Sequence, residues 1–440
     1  MYRLFLLKRW VEDLLMFPLI LLGRFLARRR PLGREYETFF FFPFYHIGGA
    51  EKVHAAIAKA TGNPDCIIFF TRKSQNDLFY KEFQSSGCVM KDISRYTDNK
   101  WIYFVNIIFR GIISGYINSQ KKKPLVFNGQ CNFGYKISPW IKKDIAQIEL
   151  IHSLCSFSYI RIPFLPFITR TVMISTIRIR EHLDLYKRFG IPLSLGERIQ
   201  FIMNGIELPE RTMTDNRPPI TDEGHQVSDK RQLQNEKNGT PEDRSSVVGD
   251  RLSVVGYRLT VLYVGRGTAE KRVDLIAEMA KRMHGKEENI TFQFLGEVKD
   301  SIPADLHGYS YFWGNQGDPE KIDSIYRKAQ VLILVSDTEG FPMVVMEAMA
   351  RGLAVVSTAV GEVPLHVQDG VNGYLVRDFR NREAVVEECM QYILHLHKDQ
   401  GLLSQIAERN IDYAYKHFGM DRFRREYNEL FDRMRTAHSI

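Results

Sequence analysis

Short runs that are apolar at nearly every position, each followed by a polar turn, recur along this chain in two series, and this alternation restricts the fold more than any other feature. The first series comprises Glu37 to Phe42, Cys66 to Phe70, Pro124 to Asn128, Gln147 to Ile151, Thr171 to Ser175 and Ile199 to Met203. The second comprises Leu259 to Val264, Ile290 to Leu295, Tyr309 to Trp313, Val331 to Val335, Ala354 to Ser357 and Tyr374 to Val376. Runs of this kind read as strands buried on both faces, and helical stretches such as Ile177 to Phe189 between them argue for parallel sheets covered on both sides. With 440 residues the chain can bury two such cores. The expected architecture is α/β: two Rossmann-like lobes whose parallel sheets face each other across a cleft.

Composition divides the chain further. Residues 1–35 mix many large apolar side chains with Arg3, Lys8, Arg9, Arg24 and the triplet Arg28 to Arg30. The longest uncharged run, Leu14 to Gly23, is ten residues, about half of what a membrane-spanning helix needs. An amphipathic, basic segment lying in the plane of an anionic membrane is expected, with a helix packed on the protein's own surface as the alternative. No small-residue cleavage site follows it, which argues against a secretory signal. Residues 36–208 form the first lobe, 209–256 a polar and mobile linker poor in apolar residues, 257–418 the second lobe, and 419–440 a charged amphipathic helix long enough to pack back across the domain boundary. Lys and Arg exceed Asp and Glu by 60 to 52, a net +8, which suits an anionic ligand or an acidic lipid surface. Nucleic acid shares the sign, but zinc-finger spacing and RNA-binding aromatic signatures are missing from the sequence. The five cysteines are scattered without ligand spacing and read as buried, reduced thiols of a cytosolic protein.

The residue types that carry chemistry cluster in the second lobe. Glu339 follows the strand Val331 to Val335, in the turn Glu339-Gly340-Phe341-Pro342. Ligands bind beyond the carboxyl ends of strands in open α/β sheets, and the free amides of the next helix favour a phosphate or hydroxyl-rich group there. That helix runs from Pro342 to Arg351, with Gly352 just past its end. Glu347 lies inside it between Met346 and Ala348. A carboxylate in so apolar a setting needs donors, and a ribose diol has two. The plainer alternatives are a capping Glu339 and an ion-paired Glu347. A second turn, Gly265-Arg266-Gly267, places Arg266 and Lys271 where two cations can grip a diphosphate, unless the turn is merely a solvated basic one. The nicotinamide-type GxGxxG pattern fails at Glu270. The loop Gly361-Glu362-Val363-Pro364 would add backbone amides to the same edge. Asp369-Gly370-Val371-Asn372-Gly373 reads as a structural turn.

Taken in order, these residues resemble the retaining glycosyltransferases of family four, which have the GT-B fold. The likeness is strong from Leu259 to Val376. In the first lobe it extends to the glycine loop Gly48-Gly49-Ala50-Glu51, to His152, and to Asn204-Gly205-Ile206. The resemblance implies that Arg266 and Lys271 hold the donor diphosphate, that Glu339 contacts sugar hydroxyls and that Glu347 binds ribose. It implies further that Gly48, Gly49, Gly265, Gly340, Phe341, Met343 and Val344 line the donor site and that His152 lies near the reacting sugar. Arg272 replaces a glycine usual after the lysine, and Pro342 another common glycine. The implied activity is retaining transfer from a UDP-, GDP- or ADP-type sugar to a hydroxyl of a saccharide or lipid-linked saccharide, in polysaccharide or glycolipid synthesis. No cofactor is expected. No paired-carboxylate metal box occurs at a strand end, so a divalent metal is not expected either. The expected location is cytoplasmic, peripheral on the inner membrane face. Competing readings are an epimerase or phosphorylase on the same fold and a non-catalytic, membrane-docked nucleotide-sugar-binding protein.

Overall fold

The computed structural model describes residues 1–440 other than 47, 62, 78, 100, 153–155, 212–257, 288 and 438–440. The polar stretch 209–256 therefore lies, but for its first three residues, outside the described residues.

Seven parallel strands build the first lobe: β1 (Thr38–Phe42), β2 (Cys66–Phe70), β3 (Val89–Asp92), β4 (Leu125–Asn128), β5 (Gln147–Ile151), β6 (Arg170–Met173) and β7 (Ile199–Phe201), in the order 3-2-1-4-5-6-7. Six build the second: β8 (Leu259–Val264), β9 (Ile290–Leu295), β10 (Tyr311–Gly314), β11 (Val331–Leu334), β12 (Ala354–Thr358) and β13 (Gly373–Val376), in the order 10-9-8-11-12-13, again all parallel. The expected architecture, two parallel-sheet lobes, is the one observed. The strand missing from the sequence reading is β3, whose Lys91 and Asp92 are exposed because it lies at a sheet edge and buries no continuous apolar run. Each sheet reverses its strand order once, between β1 and β4 and between β8 and β11. Side chains beyond the carboxyl ends of those strands converge on the crevice such a reversal opens.

Helices pack around the two sheets, among them α1 (Tyr2–Arg29), α2 (Gly49–Thr61), α3 (Tyr103–Asn118), α4 (Thr176–Phe189), α5 (Val273–Met283), α6 (Met343–Met349) and α7 (Met420–Ala437). After the second lobe the chain returns through α7. Its Phe423, Tyr427, Leu430 and Phe431 enter the first-lobe core with Phe40 and Phe127, so one helix ties the two lobes.

The amino-terminal helix α1 runs alongside α3 in the same direction, and glycines make the approach close. A Cβ on Gly23 would lie 2.1 Å from the Ile108 carbonyl oxygen, and one on Gly111 would lie 2.3 Å from that of Ile20. Ile20, Gly23 and Ala27 are buried by this contact, whereas Leu4, Leu14, Leu15, Leu22 and Phe25 project outward, Leu15 with 75% of its surface exposed. The segment thus packs on the protein through one face and leaves a second apolar face uncovered. Among the described residues no helix is long and apolar enough to cross a membrane. The four described cysteines are buried and form no disulfide.

Candidate active site

The carboxyl-end loops of the two sheets meet. In the second lobe β8 leads into Gly265-Arg266, and Tyr263 donates from its hydroxyl to the Arg266 carbonyl at 2.8 Å, bracing the turn. Lys271 reaches Glu339, its Nζ 2.5 Å from Oε1. Ser336 donates to the same oxygen at 2.8 Å, which fixes the rotamer of Glu339 at the end of β11. The Arg266 side chain is exposed, and its charge acts on Glu270 and, across the cleft, on Glu51. Lys271 and Glu339 are therefore directly joined, while Arg266 stands toward the first lobe.

Arg272, where the resemblance expects glycine, has φ +49°, a left-handed conformation that suits glycine far better. Its guanidinium compensates by donating 2.6 Å bonds to the carbonyls of Val335 and Phe379, which tie the start of α5 to the end of β11 and to the loop after β13. The departure from glycine is accommodated without disturbing Lys271.

Glu347 lies one helical turn into α6, half-buried, and accepts from Tyr326 Oη at 2.9 Å. Its other oxygen pairs with Lys52 of α2, in the first lobe. Of the surrounding residues assigned to donor binding, Met343 and Val344 are half-buried beside it. Phe341 turns inward, its ring stacked on His366 with centroids 4.2 Å apart and buried with Phe418. Only the backbone of Phe341 remains for a ligand.

Two further contacts join the lobes. The Glu362 carboxylate accepts from both the backbone N–H and the hydroxyl of Thr176, the latter at 2.8 Å, and so caps the amino terminus of α4. Arg178, in the first turn of α4, donates to the Glu339 carbonyl and, at 3.2 Å, to Thr338 Oγ1. Gly361 permits this packing: it has φ +56°, and a Cβ there would lie 2.2 Å from the Gly340 carbonyl. The loop that carries Glu339 is thereby held from both sides, by Arg178 and by Gly361-Glu362, whose amide donates to Gly340 O at 2.8 Å.

On the first-lobe side, Gly48 and Gly49 open α2. A Cβ on Gly48 would lie 2.2 Å from Glu51 Oε2, so the glycine is needed for the carboxylate to fold back over the helix start. Burial raises the pKa of Glu51, an effect opposed by its own backbone amide, His46 and Arg266. His152 follows β5. Its Nε2 lies 3.0 Å from Nε2 of His54 in α2, and burial lowers its pKa to about 4. Its carbonyl stands 3.4 Å from where a Cβ on Gly340 would be, so His152 abuts the Glu339 loop. Among the described residues no group of three or more His, Cys, Asp and Glu side chains has metal-holding geometry.

Lys271, Glu339, Gly340 and His152 are thus brought together, with Gly48 beside Glu51 in the first lobe, the charge of Arg266 reaching Glu51 from the second, and Glu347 bridged to the first lobe by Lys52. Sequence reading missed Lys52, His54, Tyr326, Thr176 and Arg178, which lie within helices whose patterns look unremarkable, and it did not foresee the side-chain role of Glu362. Glu51 alone carried a signal, a carboxylate two residues after a glycine pair at a helix start.

Two doubly wound lobes with opposed carboxyl edges, one bearing a lysine-glutamate pair at its switch point, make up a fold of the GT-B type. Residues 258–395, most of the second lobe, match the family model described as Glycosyl transferases group 1, so this lobe resembles that family. The chain is 26% identical over 115 residues to N-acetyl-alpha-D-glucosaminyl L-malate synthase of Bacillus anthracis, covering 26% of this chain and 29% of that one. It is 23% identical over 192 residues to lipopolysaccharide 1,2-N-acetylglucosaminetransferase of Salmonella typhimurium, covering 39% and 49% respectively. The chain thus matches less than half the length of these relatives. The crystal structure of Anabaena Alr3699/HepE in complex with UDP-glucose superposes with a TM-score of 0.63 at 14% identity, over 90% of this chain and 99% of that one, a likeness of fold.

Proposed function

We propose that the protein transfers a sugar from a nucleoside-diphosphate sugar to a hydroxyl of a saccharide or lipid-linked saccharide acceptor, with retention and without a divalent metal. The observation that carries this reading is the Lys271–Glu339 pair at the β8/β11 switch point, with His152 beside the Glu339 loop and the charge of Arg266 reaching Glu51 across the cleft. Lys271 and Arg266 stabilise the negative charge that grows on the departing diphosphate, and do so more strongly once closure of the two lobes excludes water. Glu339, its rotamer held by Ser336 and Lys271, accepts hydrogen bonds from sugar hydroxyls. Glu347, seated beside Tyr326, accepts from the ribose diol. The UDP-glucose complex of a protein with the same fold supports a donor of this chemical class.

The test is to incubate the purified chain with UDP-, GDP- and ADP-sugars, with and without a chelator, and measure nucleoside diphosphate release. Lys271→Ala, Arg266→Ala or Glu339→Ala should each slow transfer at least about tenfold, roughly 1.4 kcal/mol in the barrier. Wild-type turnover in all three folded variants would defeat the assignment.

The reading extends to location. The uncovered apolar face of α1, flanked by Arg3 and Lys8 at one end and Arg28 to Arg30 at the other, suits the interface of an anionic bilayer and would hold the cleft near a lipid-carried acceptor. Co-sedimentation with vesicles containing phosphatidylglycerol, weaker with neutral vesicles and in high salt, is the expected result.

A further inference from the structure

The environment of His152 contains a feature that neither the family resemblance nor the charge clamp uses, a second histidine locked against it. The two Nε2 atoms are 3.0 Å apart, so a single hydrogen lies between them and one ring must donate while the other accepts. His54 has 1% of its surface exposed, and its ring lies flat on Phe42, with centroids 4.6 Å apart and planes within 15°. Gly129, beyond β4, leaves the room this needs: a Cβ there would lie 2.8 Å from His54 Nε2. The other ring nitrogen of His54, Nδ1, is buried with no hydrogen-bond partner among the described residues.

That orphan atom decides the direction of the bond. Burial holds both rings neutral at physiological pH, with the pKa of His54 pushed well below its ordinary value, so each ring carries one hydrogen. Were His152 the donor, the hydrogen of His54 would sit on Nδ1, a buried N–H with nothing to accept it. With His54 as donor, Nδ1 keeps only a lone pair, and buried orphan N–H groups are the rarer of the two defects in folded proteins. The single hydrogen of His152 then resides on its Nδ1. The backbone of His152 is positioned as well: its N–H donates at 3.2 Å to Oε1 of Gln130, a residue held at φ +58°, the left-handed region that non-glycine residues rarely occupy. Left-handed backbone at such a corner, maintained by its surroundings, is characteristic of sites built for position.

We propose that His54 is a positioning residue whose Nε2–H sets the tautomer of His152, so that His152 offers the cleft an Nδ1–H hydrogen-bond donor and not a basic nitrogen. The proposal rests on the reading that His152 lines the transfer site, beside Gly340. Such a donor suits a neutral sugar hydroxyl or an oxygen gaining negative charge, and it leaves no ring nitrogen free to act as a general base.

The experiment uses the full chain labelled with carbon-13 and nitrogen-15 histidine at pH 7.5, the His152 signals being assigned by their loss in His152→Gln. The expected result is the Nδ1–H tautomer for His152 in the wild type and a shift toward Nε2–H in His54→Phe, which keeps an aromatic ring but removes the donor. An Nε2–H tautomer in the wild type, or a tautomer unchanged in His54→Phe, overturns the proposal. Should His54→Phe not fold, His54→Gln, which retains an N–H donor, is expected to keep the Nδ1–H form, and a switch to Nε2–H in that variant counts against the proposal. In the transfer assay, His54→Phe should lower kcat at least about fivefold with KM within about twofold, and His54→Gln should recover most of the loss. A loss carried by KM alone with kcat unchanged would contradict a role in presenting the donor. If no nucleotide sugar is turned over at all, the proposed function fails while the tautomer measurement still decides this inference.

Discussion

Strand β5, which ends one residue before His152, is anchored from beneath by an ion pair with no exposure at either partner, Glu149 with Arg161. Removing the acid alone should be among the most damaging single changes in the first lobe. Arg161 donates to both oxygens of Glu149, with Nε 2.9 Å from Oε2, and Thr171 adds a hydroxyl bond of 2.6 Å to Oε1. Nη1 of Arg161 is taken by Tyr186 Oη at 2.7 Å. Burial by itself would push the Glu149 pKa up, but Arg161 overrides it and holds the carboxyl below its usual range. In Glu149→Leu the guanidinium stays buried without its counter-charge, and the hydroxyl of Thr171 loses its acceptor. Breaking a buried pair from one side costs about 3–5 kcal/mol, a large share of the 5–15 kcal/mol or so that stabilises a typical domain. The double variant Glu149→Leu/Arg161→Met removes both charges and fills the space with apolar atoms, so it should recover most of the loss. Urea unfolding followed by circular dichroism on the three chains measures this. A Glu149→Leu midpoint equal to wild type, or a double variant no more stable than Glu149→Leu, would refute the reasoning.

Three other outcomes are expected. His152, His182 and His366 are all held near pKa 4 by burial, whereas an unfolded histidine titrates at about 6.5. Between those values the unfolded chain binds more protons than the folded one, so stability should fall as pH drops from about 6.5 toward 4, by up to about 1.4 kcal/mol per pH unit for each histidine. Urea midpoints that stay constant between pH 7 and 5 would contradict this. Glu362→Ala removes the cap that joins the second lobe to α4 at Thr176; a cap loss of about 1 kcal/mol, a larger radius of gyration by X-ray scattering and slower transfer are expected, and an unchanged radius with full activity would show that the contact does not hold the lobes. Gly23→Val drives a side chain into the Ile108 carbonyl at the α1–α3 crossing, which should cost about 1–3 kcal/mol and expose α1 to limited proteolysis. Wild-type protease resistance in that variant would show that the helices are not held by this contact.

Several features of this protein follow from local sequence because they depend on short-range physics. Runs such as Cys66–Phe70 and Leu259–Val264 are apolar at nearly every position, a pattern that suits a strand covered on both faces, so the parallel strands other than β3 could be read directly. Glu339 was legible as a site candidate because the strand-turn-helix signature puts it beyond a carboxyl edge whatever the rest of the chain does. The exposed edge strand Val89–Asp92 left no such imprint. What tertiary structure alone decided is which side chains from distant segments meet: Lys52 with Glu347, Thr176 with Glu362, Arg178 with the Glu339 loop and His54 with His152. Each of these pairs is separated by 98 residues or more, and each residue looks ordinary within its own helix, strand end or loop. Periodicity encodes which face of an element is buried but carries no record of the partner, which for the first three pairs is set by how the two lobes meet and for the histidine pair by where the first lobe places α2 relative to the end of β5. The same holds for α1: its sequence announces apolar and basic character, while the glycine contact that turns one face inward and leaves the other uncovered exists only once α3 is in place beside it.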